Sequence, residues 1–174
     1  MPVDESPGAV LDMCVHTCAL VGRVAAGDRN ALGSLYHCYY HRLASFLSRS
    51  IGSGESVEKV INDTFLEVWR GAKDSQEASL DVSTWMFGIA YRKALEHLCQ
   101  QRSRAPFSNP QRPLEQGLAT MPFEQRSILV LAYQMRCSLE QIAAITGVPI
   151  GTVKARMLSA RETVRDRAPP RRSP

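Results

Sequence analysis

The segment from residue 138 to residue 161 carries side chains that suit contacts with a nucleic acid. On a helix that begins near Gly151, one side would hold a lysine, two alkyl side chains and a serine. Lysine can donate to guanine O6 and N7, and alkyl groups can touch the thymine methyl. These base-reading candidates are Lys154, Ala155, Leu158 and Ser159. Nearby hydroxyl and guanidinium groups, with the amide end of the preceding helix, are better placed for phosphates. These phosphate-binding candidates are Ser138, Thr152, Arg156 and Arg161.

Two short helices must position these side chains. Ser138 is a good N-cap, because its hydroxyl can accept an unpaired amide proton of the first turn. Gly147 supplies a left-handed C-cap, and Pro149 then opens a second helix. A helix-turn-helix with a basic second helix fits the major groove of DNA. This segment alone leaves open an ordinary helical hairpin with a solvated face, on which Arg156 pairs with Glu162.

A second set of residues has the spacing of a metal site. Cys14 and Cys18 lie four residues apart, and so do His37 and His41. Each pair can chelate zinc or another soft metal from one helical face. The alternative is that the cysteines fill helix contacts and the histidines lie on the surface. We favour this alternative, because a closed site needs four convergent ligands, and we therefore expect no cofactor.

The sequence lacks the arrangements that are typical of enzymes. No nucleophile–base pair, phosphate-cradling glycine loop or pair of carboxylates stands at catalytic spacing. We therefore expect no catalytic activity and no small-molecule substrate.

Charge is distributed unevenly along the 174 residues, although the net charge is only +4. Residues 1–99 contain nine basic and twelve acidic residues, whereas residues 100–174 contain twelve basic and five acidic ones. The basic half indicates phosphate binding, and the acidic half indicates a protein partner. No apolar run approaches the roughly 18–20 residues that span a bilayer, and the acidic first residues do not form a signal peptide. We therefore expect a cytoplasmic protein.

Helical periodicity dominates the chain, and strand signals are weak. Apolar residues recur at helical spacing in Val15–Ala26, in the segment that follows Asp28, in Glu55–Gly71 and in Trp85–Gln101. Four helices of this size can bury one core. Between the third and the fourth, the polar stretch Gly71–Ser83 predicts a loop.

A change of composition divides the chain in two. Residues 102–113 contain three prolines and three arginines but no acidic residue, which predicts an extended, flexible linker. A helix over 123–134 and the helix-turn-helix follow. The predicted fold class is all-α, with a four-helix domain over 14–103, a linker over 104–113 and a second helical domain over 114–168. The remaining proline-rich and arginine-rich tail should fray.

Several segments together resemble the sigma factors of bacterial RNA polymerase, above all the short extracytoplasmic-function (ECF) group, which keeps only regions 2 and 4. Residues 20–28 resemble the first helices of region 2, residues 60–69 the polymerase-binding helix, and residues 84–90 the start of the promoter-opening helix. Residues 121–126 and 151–156 are similar to region 4. The order of the segments and the linker between them make the resemblance specific.

The resemblance implies a transcription initiation factor that binds core RNA polymerase and directs it to promoter DNA. It assigns polymerase binding to an outward face of the third helix, for which a plain solvated face is the alternative. The residues of this face are Asn62, Asp63 and Glu67. It assigns recognition and opening of the promoter −10 element to the polar loop and the fourth helix. The candidates there are Lys73, Gln76, Arg92, Lys93 and His97. The helix-turn-helix candidates would bind the −35 element.

The resemblance also implies an anti-sigma factor as a partner, which in this group is often anchored in a membrane. Two other functions stay open. One is a DNA-binding repressor or activator that acts without core polymerase, although residues 1–103 show no receiver or ligand-pocket pattern. The other is a sigma factor that senses metal or redox state through the four Cys and His residues. The sequence names neither the inducing signal nor the target promoters.

Overall fold

The computed structural model of the chain describes the backbone of residues 7–52, 54–75, 81–104 and 121–167. Within these ranges all regular secondary structure is helical, which confirms the all-α prediction. In chain order the helices are α1 (Pro7–Ala25), α2 (Arg29–Ile51), α3 (Glu55–Ser75), α4 (Val82–Arg104), α5 (Phe123–Tyr133), α6 (Leu139–Thr146) and α7 (Ile150–Arg167). We call α1–α4 the N-terminal unit and α5–α7 the C-terminal unit.

The N-terminal unit is held by apolar residues that recur at helical spacing. On α3 this stripe faces α1, α2 and α4, and its members are fully or almost fully buried. They are Val57, Val60, Ile61, Phe65 and Val68. Phe46 of α2 meets Phe87 of α4 edge to face, with 5.5 Å between ring centroids. The four-helix core that the sequence predicts is therefore present.

Asp28 fixes the turn between α1 and α2. Its carboxylate accepts hydrogen bonds from the backbone amides of Asn30 (2.9 Å) and Ala31 (3.2 Å), as an N-cap does. The Arg23 guanidinium of α1 donates to the same carboxylate at 2.6 Å and 2.9 Å. These hydrogen bonds, that from Arg23 first, lower the pKa of Asp28.

The predicted loop over Gly71–Ser83 is shorter than expected. Helix α3 continues to Ser75, and α4 begins at Val82 instead of Trp85. The early start of α4 has a local cause, because Asp81 accepts hydrogen bonds from the amide and the hydroxyl of Thr84. Val82 is buried and packs with the core. Lys73 therefore lies in the last turn of a helix and not in a loop.

The helix-turn-helix of the C-terminal unit forms as predicted. Ser138 caps α6 through a reciprocal pair of bonds, in which its hydroxyl accepts from the Gln141 amide (3.2 Å) and its own amide donates to the Gln141 side chain (2.9 Å). Gly147 ends α6 in the left-handed region, at φ 70°. Ile142 and Ile145 of α6 and Val153 of α7 are buried.

The two units pack directly on each other. Helix α5 lies against α2, and α6 lies against α4, so that residues of both units belong to one continuous apolar core. Helix α4 continues through Arg104, one residue beyond the predicted domain boundary. The rest of the predicted linker and the tail from residue 168 lie outside the described residues.

We expect replacement of Asp28 by asparagine to reduce stability at neutral pH but not in acid. Asparagine keeps a capping oxygen but loses the charge that holds Arg23. Because the pKa of Asp28 is lowered in the folded state, its contribution is complete above the usual carboxyl range of about 4 and is lost as the pH falls through the lowered value. Thermal unfolding followed by circular dichroism at pH 7 and near pH 2.5 tests this. Asp28→Ala, which removes the cap, should be less stable than Asp28→Asn under both conditions. An equal gap between wild type and Asp28→Asn at both pH values would contradict the prediction.

Candidate nucleic-acid and polymerase interfaces

The base-reading candidates share the outer side of α7. All four are exposed, and Leu158 keeps 62% of its surface accessible. They are Lys154, Ala155, Leu158 and Ser159. Val153 and Ala160 on the opposite side are fully buried and hold the helix on α5 and α6. Helix α7 therefore presents a solvent-facing surface with one cation, one hydroxyl and two alkyl groups.

The phosphate-binding candidates are less uniform. Ser138 and Arg161 are exposed, whereas Thr152 and Arg156 are half-buried. The Ser138 hydroxyl oxygen accepts the Gln141 amide in the capping box, so this residue positions α6. The charge of Arg156 reaches the N-terminal unit: burial and the charge of Glu124 raise the pKa of the Tyr91 phenol, and the Arg156 guanidinium acts in the opposite direction.

The outward face of α3 contains the predicted polymerase-binding residues. Asn62 is exposed, and Asp63 and Glu67 are half-buried. Leu66 lies between them with 47% of its surface exposed, and our sequence reading missed it. Its position four residues after Asn62 and three after Asp63 could have revealed it as an apolar centre in a polar face.

An ion pair joins two of the predicted sites. The Lys93 ammonium of α4 lies 3.4 Å from the Glu67 carboxylate of α3 and 3.2 Å from that of Glu96. Burial by itself lowers the pKa of Lys93, but the two carboxylates, Glu96 first, outweigh this and raise it. Glu67 therefore pairs with Lys93, a candidate DNA-binding residue. The sequence suggested either a polymerase contact or a plain solvated side chain for Glu67, and neither interpretation included this ion pair.

The other −10 candidates lie along α4 and at the end of α3. Arg92 is exposed, and half-buried His97 contacts the Gln101 side chain at 2.8 Å. Burial and the charge of Lys59 lower the pKa of His97 against the opposing effect of Asp63, which disfavours the charged form of the ring.

Lys73 lies beside an open cavity of about 280 Å³ between the ends of α1 and α3. Trp69 and Arg70 line the same cavity. Trp85 is half-buried and packs against the core beside Gly71, which favours a packing role. Gln76 lies outside the described residues.

The predicted metal ligands form no recognisable site in the described part of the chain. Cys18, His37 and His41 are exposed, and the Nδ1 atom of His37 bonds to the Gly33 carbonyl at 2.7 Å. Among the side chains that the structure describes, no group of three or more His, Cys, Asp or Glu residues could hold a metal. The side chain of Cys14 lies outside that set.

Comparison with known proteins identifies the family. The profile of sigma-70 region 2 matches residues 35–104, and that of sigma-70 region 4 matches residues 111–164. The ECF RNA polymerase sigma-E factor of Escherichia coli K12 is 31% identical, over 87% of this chain and 93% of that protein. The chain belongs to the ECF sigma factors. The RNA polymerase sigma-H factor of Pseudomonas aeruginosa is 25% identical over 83% of the chain.

Solved structures share the fold of this sigma factor. CnrH, in complex with the cytosolic domain of CnrY, aligns over 87% of this chain and 96% of its own with a TM-score of 0.64 and 23% identity. The sigma factor RpoE of Bartonella quintana, in complex with the anti-sigma factor NepR, aligns over 77% of this chain and 94% of its own with the same TM-score and 20% identity. Among the described residues of this ECF sigma factor, no helix is both long and apolar enough to cross a membrane.

We expect the Glu67–Lys93 pair to add little to the stability of the fold. The Glu67 side chain is 40% exposed and that of Lys93 is 22% exposed, so water reaches both charges, and pairs screened by water contribute roughly 0.2–1 kcal/mol. A double-mutant cycle with Glu67→Gln, Lys93→Met and the double variant, measured by chemical unfolding, should give a coupling below about 1 kcal/mol. A coupling of several kcal/mol would show that the pair is structural and not available to partners.

Proposed function

We propose that this sigma factor binds core RNA polymerase through the outward face of α3 and reads the −35 element through the outer side of α7. One observation carries the proposal. Each of the two units, whose sequences match regions 2 and 4, has a solvent-facing surface with the polar and charged residues that its region needs. On α3, Asn62, Asp63 and Glu67 surround Leu66. Such a patch, with an apolar centre and a polar rim, has the anatomy of a protein interface.

The proposed −10 contacts come from α4 and the end of α3. Arg92 and Lys93 supply cations for phosphates beside the opening bubble, and the His97 ring supplies hydrogen bonds. Lys73, at the end of α3, and Gln76, which follows α3 in the sequence, are the remaining candidates. Extruding a base costs a few kcal/mol, which stacking and hydrogen bonds must offset. When Lys93 exchanges Glu67 for a phosphate, the Glu67 carboxylate becomes available to a cation on the polymerase.

The proposed function needs no chemistry from this chain. We infer that the protein itself is not an enzyme, since the polymerase forms the RNA bonds, and that it works in the cytoplasm with that polymerase. We keep the predicted division into a first unit over 14–103, a linker over 104–113 and a second unit over 114–168. The separate matches to region 2 (residues 35–104) and region 4 (residues 111–164) support a division into two units.

An inhibitory anti-sigma factor is the partner that we propose besides polymerase and DNA. The complex of the structurally similar RpoE with NepR supports this proposal. A protein that acts in this way must compete with core polymerase for the chain and must suppress transcription from its promoters. A captured protein that does neither is not an anti-sigma factor.

Run-off transcription with reconstituted core polymerase tests the function as a whole. The sigma factor should bind core polymerase strongly and isolated duplex promoter weakly, and should start transcripts only at its own promoters. A repressor or activator that works without core polymerase would show the reverse order of affinities, and that result would refute the proposal.

Charge reversal on α3 should weaken polymerase binding. Asp63→Arg places a cation opposite the cations that we expect on the polymerase. The loss of the carboxylate and the new repulsion should together reduce the affinity for core polymerase at least tenfold, or about 1.4 kcal/mol. Glu162→Arg makes the same charge change on the exposed surface of α7 and serves as the control. Affinity for core polymerase measured by fluorescence anisotropy should fall only for Asp63→Arg. Equal losses in both variants would argue against the α3 face.

Substitutions on α7 should separate base reading from phosphate binding. Lys154→Ala should cost roughly 1–3 kcal/mol on the matched −35 sequence and relax base choice there. Arg156→Ala and Arg161→Ala should weaken binding to all sequences alike and reduce its dependence on salt. Binding of the holoenzyme to matched and mutated promoters at several salt concentrations measures both effects. If Lys154→Ala loses equally on every sequence, the base-reading assignment is wrong.

A further inference from the structure

A line of polar side chains runs along the contact between α3 and α4, beside the apolar residues of the core. On each helix these side chains recur at a spacing of three or four residues, which places them on one face. The Gln101 amide donates to the Ser56 hydroxyl at 3.2 Å, and the Lys93 ammonium lies 3.4 Å from the Glu67 carboxylate. We call this line the polar seam, and its members are Ser56, Lys59, Asp63 and Glu67 of α3 and Lys93, Glu96, His97 and Gln101 of α4.

The polar seam joins the two surfaces that we propose for polymerase and for the −10 element. Glu67, a polymerase candidate, pairs with Lys93, a DNA candidate. The charge of Asp63, a second polymerase candidate, opposes the burial and the Lys59 charge that lower the pKa of His97. Two of the three polymerase candidates therefore already act on a −10 candidate inside the chain.

Two carboxylates hold Lys93. Its ammonium lies 3.2 Å from the Glu96 carboxylate and 3.4 Å from that of Glu67, and its side chain is only 22% exposed. An ammonium is a compact point charge, and here one positive charge stands between two negative ones. The group as a whole is negative and repels a phosphate, so Lys93 attracts DNA only after a carboxylate has left it.

We propose that Glu67 and Glu96 are internal competitors of DNA phosphate for Lys93, and that core polymerase removes one competitor when its cations bind Glu67. This regulation rests on the proposed function, which assigns Glu67 to polymerase and Lys93 to the promoter. It means that the polymerase face controls whether a cation on the DNA face is available. By linkage, DNA that binds Lys93 strengthens the binding of polymerase at Glu67 by the same factor.

The two competitors differ in what can remove them. Glu67 lies on the polymerase face of α3, so a polymerase cation can take over its charge. Glu96 lies on α4, three residues after Lys93, and stays beside it when polymerase binds. Glu67 therefore makes the DNA contact dependent on polymerase. Glu96 weakens the contact in every state and makes opening more dependent on a good −10 sequence.

Binding of a generic single strand by the free chain tests the competition. A fluorescent oligothymidine is the probe, because phosphate contacts do not depend on sequence. At low ionic strength, Glu67→Gln and Glu96→Gln should each raise the affinity about two- to fivefold, the range expected for ion pairs in contact with water. Glu58→Gln is the matched control, since it removes the same charge from the exposed surface of α3, roughly 13 Å along the helix from Glu67. It should change the affinity much less.

Replacement of Lys93 shows whether the gain passes through this residue. In a Lys93→Met background, Glu67→Gln and Glu96→Gln should give no gain beyond that of Glu58→Gln. A gain that persists without Lys93 would come from the general field of the chain and would overturn the competition. Unchanged affinity in both single variants, or an equal gain in Glu58→Gln, would overturn it as well.

Opening of a promoter by the holoenzyme tests the role of polymerase. The fluorescence of 2-aminopurine in the −10 element reports opening, and core polymerase is in excess so that every variant is bound. Glu96→Gln should open the promoter about two- to fivefold faster than wild type and should also open mutated −10 sequences that the wild type opens poorly. Glu67→Gln should lose the gain that it shows in the free chain, because polymerase has already taken this carboxylate from Lys93. A Glu67→Gln holoenzyme that keeps the full gain would overturn the release by polymerase.

The two measurements separate this competition from the proposed function. A wild type that binds no core polymerase and supports no run-off transcription refutes the proposed function, while the oligothymidine titrations still decide on the competition for Lys93. A chain that transcribes normally but gains nothing from Glu96→Gln, free or in the holoenzyme, keeps its proposed function and lacks the competing carboxylates.

Discussion

Burial of α4 from both sides is the constraint on which the rest of the structure depends. This helix contributes Met86, Phe87 and Ile89 to the core of the N-terminal unit and offers Gly88 and Tyr91 to the C-terminal unit. Each apolar side chain removed from water contributes about 1.5–3 kcal/mol. Exposure of either side of α4 to water therefore costs free energy. If the element that covers one side moves away, another element or a partner has to cover that side.

The surfaces that we propose for partner binding depend on weak ion pairs in contact with water and not on buried apolar side chains. Lys93 is shared between Glu67 and Glu96, and exposed pairs of this kind are worth about 1 kcal/mol or less. A phosphate or a polymerase cation can replace such a contact at little cost. These side chains lie on helices whose inner faces are buried in the core. They therefore keep their relative positions when one ion-pair partner is replaced by another. The Ser138–Gln141 capping box does the same for the helix-turn-helix, since it sets where α6 begins.

Prediction from sequence succeeded where the physical signal is local. The stripe of α3 and the caps Ser138 and Gly147 follow from spacing or from backbone preference, and the structure contains all of them. It failed at the start of α4, because the polar residues before Trp85 suggested a loop although Asp81 caps a helix there. The sequence prediction also missed Leu66, because the residues of this face of α3 were chosen for their polar and charged side chains.

The sequence by itself determined the helical fold class, the helix-turn-helix, the division between an acidic and a basic half, and the resemblance to sigma factors that family comparison then confirmed. Each of these depends on residues close together in the chain or on composition. Only the tertiary structure decided which element covers the second side of α4, that the charge of Arg156 acts on Tyr91, and that Lys93 pairs with Glu67. Periodicity shows which side chains must leave water, but many neighbours can bury them equally well, and only the packed chain selects one.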